Sequence, residues 1–204
     1  MLFHQYLETI LGSKTKLKIL RALHRHGGKE FTIRELANFI GISHTGVRKA
    51  LDDLYEMNAV SLKAVGKSHT VKINDESHVA TLLDLLFRYE EETLNELQEL
   101  VKKHLCCHGY IESVTLFGSV ARGEEKPRSD VDLLILTNDK GKAEDSVSEL
   151  QIEFSKRFGN PVAPIIHTRI EMEGLKGSEM LKEIQKHCIT VCGEAWGGAD
   201  VDKN

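Results

Sequence analysis

Asp130 and Asp132, with apolar Val131 between them, are the residues in this sequence best placed to do chemistry together. The run 131–136 is apolar and short, as a buried strand is. Residues i and i+2 of a strand share a face. Both carboxylates therefore project one way, while Val131 and Leu133 project into a core. Two carboxylates on one face repel each other unless a cation lies between them. Hard cations such as Mg²⁺ (or Mn²⁺) take oxygen ligands and leave positions for substrate phosphates. Ten residues separate Asp130 from an upstream turn at Gly118-Ser119. Gly118 has no Cβ to block close backbone approach. Ser119 brings a hydroxyl and a backbone N–H to the start of the next segment, where phosphate can bind. A glycine turn and an aspartate pair facing one pocket read as a site for a nucleoside triphosphate (NTP) and a divalent metal.

An apolar, alternating strand over 111–117 must deliver the turn, and a second strand must carry the aspartates. The run Gly118-Ser119-Val120-Ala121-Arg122-Gly123, followed by Ser129-Asp130-Val131-Asp132-Leu133, resembles the minimal branch of the nucleotidyltransferase superfamily typified by DNA polymerase beta. The resemblance covers 107 to about 193. It implies Asp130 and Asp132 as catalytic and metal-binding residues. Gly118, Ser119, Arg122, Arg128 and Ser129 would bind the NTP. One departure stands out. Active members place a third Asp or Glu on the strand after the intervening helix. Here that strand, 162–167, is interrupted by Pro164 and holds no carboxylate. Glu171 and Glu173 come later. His167 is the nearest alternative ligand, and imidazole suits Mg²⁺ poorly. In a two-metal scheme the third carboxylate serves the ion that activates the attacking oxygen. Two readings follow. One is a transferase that moves a nucleoside monophosphate from an NTP to a hydroxyl. The other is a regulator whose nucleotidyltransferase domain only binds nucleotide or a protein partner.

The first third of the chain has a different character. Ser13 precedes a helix predicted over 14–26, with Leu17, Ile19, Leu20 and Leu23 at helical spacing and Gly27-Gly28 after it. Thr32-Ile-Arg-Glu35 is a capping box for a second helix. Ser43 caps a third, with Val47, Leu51 and Leu54 on its buried side. Two strands, 60–65 and 68–73, join at Gly66-Lys67 as a hairpin. This order resembles the winged helix-turn-helix domains of transcription regulators, over 13–74. The resemblance implies double-stranded DNA as partner, read by Ser43, His44, Thr45, Arg48 and Lys49, with Lys67 on the wing. Asp52, Asp53 and Glu56 on the same helix weaken a DNA face if they point outward. A protein-interaction module is the other common use of the fold.

A long helix over 77–104 links the two parts. Its stripe of Val79, Leu82, Leu83, Leu86, Leu94, Leu97, Leu100, Val101 and Leu105 can pack within the chain or form a homodimer. The expected fold class is α+β. Its parts are a winged helix over 1–75, a linking helix over 76–106, a small mixed-sheet nucleotidyltransferase domain over 107–193 and a tail over 194–204. The 204 residues allow one large or two small domains. Residues 1–75 carry twelve Lys/Arg and seven Asp/Glu, and the rest fifteen and twenty-four. A basic front and an acidic back fit two modules with different partners. With 41% hydrophobic and 28% charged residues and no long apolar run, no membrane segment is expected. The four cysteines show no disulfide framework, which fits a reducing cytoplasm. The zinc reading of His104-Leu-Cys-Cys-His108 lacks a second Cys-x-x-Cys pair. A helix end with incidental thiols explains it better.

Overall fold

The computed structural model describes residues 4, 6–66 and 68–194. The chain divides into two compact units, Met1–Thr93 and Leu94–Asn204. The first holds α1 (Leu7–Leu11), α2 (Lys14–Arg25), β1 (Phe31–Thr32), α3 (Ile33–Ile40), α4 (His44–Glu56), β2 (Val60–Val65), β3 (Ser68–Ile73) and the first part of α5 (His78–Val101). Helical spacing decides which faces are buried. Ile19, Leu20 and Leu23 of α2 meet Leu36 of α3, Val47, Leu51 and Leu54 of α4, and Leu83 and Phe87 of α5. Thr32 and Glu35 form the expected capping box. The Thr32 hydroxyl accepts from the Glu35 N–H at 3.2 Å, and the Glu35 carboxylate accepts from the Thr32 N–H at 2.8 Å. The Thr32 N–H, first, and the Thr32 hydroxyl, which donates to the same carboxylate at 2.9 Å, hold the Glu35 carboxyl below the usual carboxylate range. Gly41 closes α3 at φ 67°, a left-handed conformation that favours glycine. β2 and β3 pair antiparallel from Val60↔Ile73 to Val65↔Ser68, and β1 joins the other edge of β3. Helices α2, α3 and α4 with the β2–β3 hairpin give this unit a winged-helix layout.

In the second unit, α5 runs on through a π-helical turn, Lys102–Cys106. Then come β4 (Ile111–Phe117), α6 (Gly118–Arg122), β5 (Val131–Thr137), α7 (Lys140–Phe158), β6 (Val162–His167), α8 (Arg169–Gly174), α9 (Glu179–Lys186) and β7 (Ile189–Cys192). The sheet order is β6-β5-β4-β7. β4 is antiparallel to β5 and β7, and β6 is parallel to β5. The alternation of β5 sorts two cores. Val131, Leu133 and Ile135 pack with Leu100, Leu105, Leu150 and Phe154. Leu134 and Leu136 pack on the opposite face against Met172, Leu181 and Ile184 of α8 and α9. Asp132 has the parity of Leu134, so it lies on the α8–α9 face. Pro164 sits in β6, an edge strand, where its missing N–H costs no ladder bond.

Several details depart from the sequence reading. Ser13 precedes α2 without a side-chain capping bond. Leu86 is 40% exposed, and Phe87, at 5%, fills the core instead. Helix α8 is an addition to the expected elements, and a capping box of Thr168 and Glu171 marks its start. The cysteines need the largest correction. Cys106 and Cys192, 86 residues apart in sequence, form a disulfide. The pairing of β7 with β4 sets Cys192 opposite Val114, and the bridge ties it to Cys106 on the π-helical turn, an approach that sequence spacing does not reveal. Cys107 and Cys188 are free thiols. Among the described residues, no helix is long and apolar enough to cross a membrane. The tail residues 195–204 lie outside the described residues.

Candidate nucleotide site and nucleic-acid face

β4 ends at Phe117, which pairs with Asp132 on the adjacent strand. The next residue, Gly118, starts α6 at φ 75°. A Cβ on Gly118 would lie 2.0 Å from Asp132 Oδ2 and 2.9 Å from its Cγ. The space a side chain would take at residue 118 is therefore filled by the Asp132 carboxylate. The sequence assigns this glycine to phosphate approach; the fold shows a second requirement, set by the aspartate. Gly123, at φ 66°, closes α6.

Asp132 is half-buried, and Asp130 is exposed just before β5. Burial, first, and the charge of Asp130, second, raise the Asp132 carboxyl above the usual range, while Arg122 pulls it back down. A hard cation beside them would offset that repulsion, and the two carboxylates could supply part of an oxygen shell with positions left for phosphate and water. Among the described residues, no group of three or more His, Cys, Asp or Glu side chains gathers around a possible metal position.

Arg122 is exposed and donates from Nε to Glu124 at 2.9 Å. Arg128 is exposed on the loop before Asp130. Ser119 and Ser129 are half-buried. The Ser129 hydroxyl accepts from the Lys126 N–H at 2.9 Å, and the Ser129 N–H donates to the Lys126 carbonyl at 2.8 Å. These bonds shape the turn ahead of Asp130. Asn160, between α7 and β6, donates to the carbonyls of Pro127 at 3.3 Å and Ser129 at 2.9 Å. In the sequence, only the neighbouring Pro161 marks a turn there.

The strand beside the aspartates offers no third acid. Asp132 pairs with Ala163, whose side chain is a methyl group. His167 pairs with Leu136, four residues further on, about 13 Å away at strand spacing. It is therefore not the nearest alternative ligand, because the sheet places it at the far end. Its Nδ1 is buried without a hydrogen-bond partner, 3.6 Å from Glu171. Glu171 caps α8 and accepts from Lys140 at 2.7 Å. Lys140, first, and the Thr168 N–H hold its carboxyl at about 2.

In the winged-helix unit, His44, Thr45, Arg48 and Lys49 are exposed on the first half of α4. Ser43 is exposed too, and its hydroxyl accepts from the Gly46 N–H at 3.2 Å. Asp53 does not weaken the outer face. It pairs at 2.6 Å with Lys16, whose Nζ also donates to the Thr9 carbonyl at 2.7 Å. Asp52 and Glu56 remain exposed on the second half of the helix. Lys67 lies outside the described residues.

Residues 90–189 match the family model of the Nucleotidyltransferase domain. Over this stretch, just under half of the chain, the sequence has the pattern of a nucleotidyltransferase domain. One putative protein adenylyltransferase of Methanocaldococcus jannaschii is 40% identical over 47 residues, which is 22% of this chain and 55% of the relative. A second from the same organism is 43% identical over 47 residues, 22% of this chain and 48% of the relative. The chain spans about half the length of the curated relatives it matches. Among solved structures, the homodimeric winged helix-turn-helix DNA-binding domain of a possible transcriptional regulator from Mycobacterium bovis is similar. It is 23% identical, with a TM-score of 0.38, over 44% of this chain and 80% of that one.

Proposed function

We propose that the second unit transfers a nucleoside monophosphate from an NTP to a hydroxyl, with release of pyrophosphate. The observation that carries this reading is the seating of the Asp132 carboxylate in the space left by Gly118, with Asp130 two residues away on the same strand edge. Asp130 and Asp132 would hold a divalent cation through carboxylate oxygens. When bound, that ion neutralises phosphate charge and orients the triphosphate. Gly118, Ser119 and Ser129 line the approach for the phosphates, and Arg122 and Arg128 add positive charge beside them. The acceptor oxygen attacks the α-phosphorus, the bond between the α-phosphorus and its bridging oxygen breaks, and pyrophosphate leaves with the electron pair. The acceptor proton passes to solvent, because Ala163 supplies no base where a third carboxylate would stand. The relatives' names favour ATP as donor and a protein hydroxyl as acceptor.

Ala163 also favours a second reading. Without an acid there, nucleotide binding can survive where turnover is slow. The winged helix, with Arg48 and Lys49 exposed, supports a DNA-binding regulator that binds duplex DNA, as a monomer or a dimer, and senses nucleotide. Calorimetry separates binding from its absence. ATP binding should require Mg²⁺ or Mn²⁺, and Asp130→Asn with Asp132→Asn should remove that requirement. Equal ATP affinity with chelator present would sink both readings of the site.

A further inference from the structure

We infer that Asn160 is a positioning residue for Asp130. The inference rests on the nucleotidyl-transfer reading for its consequence, but its geometry stands alone. Asp130 makes no hydrogen bond or ion pair among the described residues, and its side chain is exposed. Nothing at its own carboxylate fixes where it points, so its place depends on the backbone around it. That backbone is held on both flanks by two consecutive residues. On one side, the Asn160 Nδ2 donates to the Ser129 carbonyl at 2.9 Å. On the other, the Val131 N–H donates to the Pro161 carbonyl at 2.9 Å.

The second hydrogen of the Asn160 amide reaches the Pro127 carbonyl at 3.3 Å. Both partners are carbonyl oxygens, which only accept, so the amide must present its nitrogen. The Lys126–Ser129 turn and the first residue of β5 are thereby tied to the junction between α7 and β6. Gly159, at φ 78°, ends α7 in a left-handed conformation and sets Asn160 beyond the helix end. Apart from Asn160, the loop that bears Arg128, Ser129 and Asp130 is shaped by turn bonds between Lys126 and Ser129 and, at its end, by the Val131–Pro161 bond.

Residues that hold a metal ligand in place without touching the metal matter for its affinity. Their loss typically costs about ten- to a hundredfold. Asn160→Asp keeps the shape and replaces a double donor with an acceptor facing two carbonyl oxygens. Asn160→Ala removes the donor and lets water replace it. Two measurements on the full chain test the inference. Calorimetry with MnATP, against ATP with chelator, should show the metal-supported gain in affinity fall about tenfold or more in Asn160→Asp. The loss should be smaller in Asn160→Ala, and both variants should still unfold in one cooperative thermal transition. Amide hydrogen exchange should quicken at Ser129 and Val131 in Asn160→Asp, while the amides of β4 and the rest of β5 keep their protection.

Unchanged exchange at Ser129 and Val131 would overturn the inference whatever the nucleotide data show. Faster exchange with an undiminished metal-supported gain would overturn it too, since the loop would move without consequence for the carboxylate. If the unsubstituted protein shows no metal-supported gain, the nucleotidyl-transfer reading fails instead. The exchange data then decide the positioning claim alone.

Discussion

Gly118→Ala is the sharpest perturbation of the site, and Gly123→Ala is its internal control. Both glycines hold left-handed backbone, at φ 75° and 66°. An alanine there costs about 1–2 kcal/mol from backbone strain alone. For a chain of this size that lowers the thermal midpoint by about 2–8 °C. Beyond this the two sites differ. A Cβ on Gly123 meets nothing within 4 Å. A Cβ on Gly118 meets Asp132 Oδ2 at 2.0 Å, where ordinary contact begins at 3.4 Å. The carboxylate must therefore swing away by more than an ångström. A displacement of about 1 Å in a catalytic group can cost about a hundredfold. Gly118→Ala and Gly123→Ala should then lose similar stability, but only Gly118→Ala should lose metal-supported ATP binding. Thermal denaturation and MnATP calorimetry on both variants measure this. Equal loss of binding in both would show that strain in α6, and not the seat of Asp132, governs the site. Full binding in Gly118→Ala would refute the placement of Asp132 outright.

Other consequences are independent of that pair. Because the Asp132 carboxyl is raised in the fold, the native state binds its proton more tightly than the unfolded chain. Between the ordinary aspartate value of about 3.9 and the raised one, stability falls as pH rises. Asp132→Asn should therefore stabilise the protein at neutral pH, with the advantage gone in acid below the ordinary value; thermal scans across pH check this. Metal-supported ATP binding needs Asp132 ionised, so it should fade on acidification with a midpoint above that of an exposed aspartate. Cys192→Ser should destabilise the protein by about 2–5 kcal/mol without reductant and match the unsubstituted protein once a dithiol opens the bridge, as read by denaturant titration. Arg48→Glu with Lys49→Glu should weaken duplex binding by the full chain on every sequence tried. Gel shifts across salt should show a log–log slope reduced by about 0.9 for each phosphate that the variant no longer neutralises.

The elements that position the site are largely legible in the sequence because their signals are local. Alternation marks β4, a short apolar run marks β5, glycines mark the turns, and Thr32-Glu35 marks a cap that the structure reproduces bond for bond. What stays hidden depends on approaches between residues distant in sequence. Nothing local says that the space over Gly118 belongs to Asp132, because the two meet only once β4 and β5 pair. The role of Asn160 needs β5 and β6 side by side. The Cys106–Cys192 bridge needs β7 to return beside β4. His167 misleads for the same reason: it is near the aspartates in the element order and far from them along the sheet. Helix α8 is the exception, since the capping box Thr168-Glu171 is a local signal that the sequence carries in plain view.

Transfer itself is the direct test of the central claim. The full chain would be incubated with α-labelled NTPs, Mg²⁺ or Mn²⁺ and an extract of cells that express it, and the labelled products separated. The expected result is a labelled macromolecule or small acceptor that forms only with the divalent ion and is lost in Asp130→Asn and Asp132→Asn. No labelled product with any NTP, in a preparation that binds MnATP, would contradict the transferase assignment and leave the nucleotide-sensing regulator as the reading that fits.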